Sequence, residues 1–203
     1  MNIVTIIIAI TVLISLQVNN NNALKQRLLF IPYNLKNNNE YYRLISHIFV
    51  HADIPHLAFN MISLYFLGLT LENHFLQLYG LKLGTTYFLI LYFFGAVFAS
   101  LPSVLKHQKN PYYRSLGASG AVSAVIFAAI IWDPTMELII MFIPFPIPAY
   151  IFGPIYLAIE YISMKRGGTG IAHDAHLGGA LFGILFVLLL NAEKGKEFLN
   201  LIF

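Results

Sequence analysis

Charged residues divide this chain into six long apolar runs. Residues 1–24, 54–71, 83–105, 115–132, 138–159 and 175–192 contain no Asp, Glu, Lys or Arg. A helix that crosses a bilayer takes about 20 residues, within a range of roughly 17–25. Every run is long enough. Lipid admits only helices or closed barrels, and continuous apolar runs are not the short alternating strands of a barrel. The pattern predicts an all-α polytopic membrane protein, a bundle of six transmembrane helices forming one domain over residues 1–203.

The connections refine this picture. Ile3–Leu16 has the length of a signal-peptide core, but it lacks a basic flank and a small-residue cleavage site, so it reads as a retained first helix. Residues 19–53 form a long first loop with Asn tracts at 19–22 and 37–39, residues that form turns. Its aromatic, amphipathic stretches around Phe30 and Tyr42 predict a loop partly embedded in the headgroup layer. In the fifth run, Pro144, Pro146 and Pro148 remove backbone donors in alternation, which predicts a bent or mobile element rather than a regular helix. The tail after Asn191 reads as short and charged.

Composition supports a lipid solvent. Of 203 residues, 58% are hydrophobic and 10% charged, with a mean hydropathy of +0.72. Soluble domains carry about 25% charged residues. There is no cysteine, which excludes disulfides, thiolate metal sites and a cysteine nucleophile. The net charge of +3 is scattered, with no basic run suited to nucleic acid.

Candidate chemistry follows from parity. Helices two, four and six cross in the same direction, so their first residues lie on one side. His56 and Asn60, Ser119 and His176 all fall near those starts, within about 10 Å of one membrane face at 1.5 Å per residue. Polar groups placed there are costly and tend to mark function. His56 and Asn60, four apart, share a helix face. Gly179 and Gly183 share one on helix six, as do Gly120, Ala124 and Ala128 on helix four. Small residues allow close helix contact, so this seam would bring the His176 ring towards Ser119. A serine hydroxyl needs a neighbouring base to become a nucleophile, and imidazole is the usual one. The oxyanion of acyl transfer needs fixed donors. The Ser119 N–H, the His56 ring and the Asn60 amide are the candidates, with Gly117 and Gly120 allowing close backbone approach to the scissile carbonyl.

The sequence Gly117-Ala118-Ser119-Gly120, the pair His56-x-x-x-Asn60, and Ala175-His176-Leu177-Gly178-Gly179 with Gly183 beyond it resemble the rhomboid family of intramembrane serine proteases, of the bacterial six-helix type. Arg43 resembles the family's Trp-Arg motif, and Glu72 its acidic residue at the end of helix two. The resemblance covers about residues 40–190. It implies a rhomboid-like bundle, a dyad of Ser119 and His176, an oxyanion hole lined by His56, Asn60 and Ser119, no metal and no cofactor. It implies single-span membrane proteins as substrates, a multi-pass protein of a cell membrane (a bacterial inner membrane) and the amino terminus inside. The chain departs from the pattern at Tyr42, where the family often has Trp. It departs again at Ser123, where many members carry an aromatic ring that packs on the catalytic imidazole.

Other readings compete with this one. Ser119 alone reads as a helix N-cap. His47, His51 and His74 read as interfacial, and His173 rivals His176 as base. A His-based metal site in an enzyme or transporter would draw on His47, His51, His56, His173 and His176, though no HExxH is present. A non-catalytic rhomboid-like protein that binds membrane helices is the main alternative function.

Overall fold

The computed structural model describes residues 2–139 and 144–202, and it is mostly helical. Helix α1 (Ile3–Asn19) occupies most of the first run. The buried Glu72 carboxylate accepts the Ile3 and Val4 N–H groups at 2.8 and 3.1 Å. A helix start has unpaired donors and a partial positive charge, and this carboxylate satisfies both. The Asn tract ends α1 and starts α2 (Asn22–Leu28), whose Leu24 N–H donates to the Asn21 side chain at 3.0 Å.

The first loop continues through α3 (Pro32–Asn37), α4 (Arg43–Ser46) and a 3₁₀ turn, His47–Phe49. Arg43 is buried, pairs with Glu40, and donates to the carbonyls of Gln26 (3.0 Å) and Leu29 (2.7 Å). Its role in this structure is to tie the loop together.

Helix α5 (Ile54–Ser63) passes through a π-helical turn, Leu64–Gly68, into α6 (Leu69–His107). α6 breaks at Gly80, with φ 75° and ψ 171°. A Cβ on Gly84 would stand 2.7 Å from the Phe75 backbone, so the chain doubles back at Gly80. The second and third apolar runs are thus neighbouring helices joined at a single glycine. Only a residue free to adopt positive φ makes such a turn without strain.

α7 (Ser119–Trp132) is the centre of the molecule: every residue from Gly120 to Trp132 is buried. A helix that is apolar all round must be surrounded. α9 (His173–Leu190) and the second half of α6 pack on it through small residues. A Cβ on Gly179 would collide with the Gly120 carbonyl, and one on Gly183 with the Ala124 carbonyl. A Cβ on Gly95 or Gly120 would lie 2.7 Å from Ala124 Cβ and 2.6 Å from Ala99 Cβ respectively. The seam expected from the spacing of glycines is therefore present.

Among the described residues of the fifth apolar run, the proline stretch is not a regular helix and helix starts at Ala149. Glu137–Leu138 and Ile147–Pro148 pair as a short antiparallel hairpin, β1 and β2, and α8 spans Ala149–Arg166. Helix begins only after the last of the three alternating prolines, which cannot donate to a helical ladder. (Phe142 and Ile143 lie outside the described residues.) The short, charged tail beyond Asn191 is helical, α10 (Ala192–Ile202). Among the described residues, two helical stretches are long and apolar enough to cross a membrane, Ile54–His107 and His173–Leu190. Ile3–Asn19 and Ser119–Trp132 are apolar but shorter.

Candidate active site

Ser119 is the first residue of α7. The N-cap position belongs to Ala118, and no side chain caps this helix. The N-cap reading of Ser119 is therefore set aside. Ser119 lines a cavity of about 1110 Å³ together with His56, Asn60, Gly117, Gly120 and His176. Residues from three distant helix starts do converge there.

The loop ahead of Ser119 is held by backbone contacts from the first loop. Phe30 and Ser115 exchange two bonds: the Phe30 N–H donates to the Ser115 carbonyl at 2.9 Å and the Ser115 N–H to Phe30 at 3.1 Å. Gly117 N–H donates to the His47 carbonyl at 3.0 Å. Ala118 N–H donates to His51 Nε2 at 3.3 Å. Ser15 donates to the Phe49 carbonyl at 2.8 Å, so its oxygen is left to accept from His51 Nδ1–H at 2.9 Å. That assigns the proton to Nδ1 and leaves Nε2 bare to receive the Ala118 N–H. His47 in turn donates Nδ1–H to the Arg43 carbonyl at 2.8 Å. Burial holds both rings neutral. It pushes His47 down to about 4 and His51 down to about 3, the latter with help from the neighbouring His56 ring. The interfacial reading of these two histidines is corrected. They are buried parts of the scaffold beneath the loop that precedes Ser119.

Gly117 has φ +110°, and a Cβ there would lie 2.6 Å from His56 Cε1. Glycine at this position lets the His56 ring lie directly on the loop backbone. His56 is the third residue of α5, where its N–H donates to the N-cap carboxylate of Asp53 at 2.7 Å. Asn60, one turn on and buried, donates to the His56 carbonyl at 2.9 Å.

His176 lies in the first turn of α9, beside a residue that sequence reasoning had not singled out. Glu160 of α8 reaches both histidines of that turn. Its Oε2 is 2.5 Å from His173 Nδ1, and its Oε1 is 3.0 Å from His176 Nδ1. The first contact is a well-directed hydrogen bond. The second is off-line, and the buried His176 Nδ1 has no other partner among the described residues. Four residues earlier on α8, Tyr156 places its hydroxyl 3.2 Å from Ser123 Oγ. An aromatic ring from α8 thus stands against the position where many family members carry one on helix four. The signal for Glu160 was present in the sequence: it is the acid that ends the fifth apolar run, and an ionisable group bordering a span is a functional candidate.

The rhomboid domain family matches residues 38–193. This chain belongs to the rhomboid family. RHOMBOID-like protein 12, mitochondrial, of Arabidopsis thaliana is 30% identical over 168 residues, covering 75% of this chain and 47% of that protein. The human presenilin-associated rhomboid-like protein, mitochondrial, is 33% identical over 141 residues, covering 68% of this chain and 35% of that protein. Rhomboid-like protease 3 of Toxoplasma gondii is 28% identical over 161 residues, covering 77% and 54%. The chain spans about a third to a half of the length of these rhomboid relatives. Two of the three carry mitochondrial names, so the comparisons support a membrane-associated rhomboid and give no support to a bacterial inner membrane.

Proposed function

We propose that this rhomboid is an intramembrane serine endopeptidase. Ser119 and His176, from the first turns of α7 and α9, line one cavity, and that observation carries the reading. In this mechanism His176 takes the Ser119 proton through Nε2 as the hydroxyl attacks the scissile carbonyl. The imidazolium then returns that proton to the leaving amine. The Ser119 N–H, at the positive end of the α7 dipole, receives the oxyanion together with the His56 ring and the Asn60 amide. Gly117 and Gly120 keep side chains out of the substrate's path. Glu160 faces Nδ1, where a carboxylate holds the ring with its proton on that nitrogen and leaves Nε2 bare towards Ser119.

The remainder of the reading rests on family resemblance and hydropathy. The chain forms one domain with six membrane-crossing helices, α1, α5 with the first half of α6, the second half of α6, α7, α8 and α9. Its substrates are single-span membrane proteins, cut near a helix end that unwinds easily. Four of the six segments reach 18 residues or more, α5 with the first half of α6, the second half of α6, α8 and α9, and the helices packed around the shorter α7 enclose it.

A fluorophosphonate probe tests the nucleophile directly. Wild type should label at one site, Ser119→Ala should not label, and His176→Ala should label at least about 1000-fold more slowly. Equal labelling of wild type and Ser119→Ala would end the proposal.

A further inference from the structure

Glu160, His173 and His176 form more than a support for one ring. One oxygen of the acid and one nitrogen of each imidazole lie within 4.8 Å of one another. Glu160 and His173 are buried, and His176 is half-buried. The two histidines are three apart on α9 and share its face. The acid comes from α8, so the ligands are fixed by two packed helices. We propose that this cluster is a binding site for a divalent transition cation of the zinc class, and that occupancy switches the protease off.

The donor set selects the cation. Two imidazole nitrogens and one carboxylate suit zinc and its neighbours, whereas magnesium and calcium take oxygen ligands. Tetrahedral bonds of about 2.0–2.2 Å separate adjacent ligand atoms by roughly 3.3 Å. Towards that spacing the two Glu160 contacts, at 2.5 and 3.0 Å, would open and the imidazole nitrogens, within 4.8 Å, would draw together as the ion enters. The off-line His176 Nδ1 is the atom that gains a partner. His173 already has the outer contact that metal-bound histidines show, with Nε2 2.8 Å from the Thr169 hydroxyl. Nε2–H donating there leaves Nδ1 free for the ion. Glu160 and His176 line the cavity, which provides the entry path and room for a water as fourth ligand.

The inhibition follows from proton bookkeeping and rests on the protease reading above. A working base needs the His176 proton on Nδ1 and a bare Nε2. An ion bound at Nδ1 displaces that proton, and a neutral imidazole then carries it on Nε2. Ser119 then faces a donor instead of an acceptor, and its own proton has nowhere to go. No bond to substrate forms, and removing the ion restores the original tautomer.

Binding is read separately from activity by titrating Co²⁺ and Zn²⁺ into untagged Ser119→Ala protein, by absorption and calorimetry. The expected result is one equivalent, reversed by chelator. Affinity should drop by more than about tenfold in His173→Gln or Glu160→Gln made in that background, and stay unchanged in Asp174→Asn. Should one of the two ligand variants fail to fold, the other reads the same loss. On active protein, Zn²⁺ should slow fluorophosphonate labelling of Ser119, and His173→Gln should be at least about tenfold less sensitive relative to its own zinc-free rate. Folded Ser119→Ala protein that binds no metal, or binding unaffected by both ligand substitutions, overturns the site. Binding that leaves labelling unchanged overturns the switch. A chain that labels at Ser119 but takes up no metal loses this inference and keeps the protease reading; one that binds metal but never labels keeps the cation site and loses the switch together with the protease reading.

Discussion

Glu160 is the residue that most changes the account of the site. A carboxylate among apolar helices is costly unless it is paired, and here it meets two imidazoles. Glu160 follows directly on a charge-free run, where a charged side chain reads as the edge of a span. Its partners lie 13 and 16 residues further on, on another helix, and no local spacing rule links them. Ser119, His56, Asn60 and His176 were legible because each falls near a helix start and parity sets those starts on one side. If Glu160 positions His176, Glu160→Gln should lower kcat by roughly 10²–10⁴-fold with little change in KM. Glu160→Asp should recover part of the loss, which a purely structural role would not predict. Steady-state kinetics on a membrane-anchored substrate separates the two, and a KM effect with unchanged kcat would contradict the assignment.

At the scale of elements, the α7–α9 seam was visible in sequence because its small residues repeat every four positions. Gly179→Val would drive a side chain into the Gly120 carbonyl. Overpacking of this kind costs about 1–3 kcal/mol, and here it also moves His176 from Ser119. The melting midpoint in detergent and the cleavage rate should both drop, whereas Leu189→Val, at a side chain 88% exposed on the same helix, should change neither. Proline spacing identifies where a regular helix is impossible but not where it resumes, so the start of α8 at Ala149 was not legible. The first loop was misread differently. His47 and His51 looked interfacial in a segment of mixed polarity, but the loop folds inward and the rings support Gly117 and Ala118. Their burial carries a pH signature. Both rings take up protons more readily unfolded, near the ordinary value of 6.5, than folded, where they are pushed down to about 4 and about 3. The stability they permit is complete above about pH 6.5 and is lost as the pH falls towards 4. The midpoint should decline between pH 6.5 and 4.5 in wild type and decline less in His47→Asn. A flat wild-type profile over that window would contradict neutral burial.

For the whole molecule, hydropathy marks a mostly helical chain in which two helical stretches among the described residues are long and apolar enough to cross a membrane, and the break at Gly80 explains how two apolar runs follow one another without a loop. Hydropathy does not reveal which helix stands at the centre. α7 is one of the shorter apolar helices and, among the described residues, the most enclosed, and Ser119 at its start lines the cavity. The family match and the convergence of three helix starts lead to one central claim, that Ser119 and His176 together cut a polypeptide within the membrane. The direct measurement is cleavage of a single-span membrane protein co-reconstituted in liposomes with wild type, Ser119→Ala or His176→Ala. The account predicts a cut product with wild type and a loss of at least about 1000-fold in both variants, with unchanged melting midpoints. Cleavage by Ser119→Ala at the wild-type rate would contradict it.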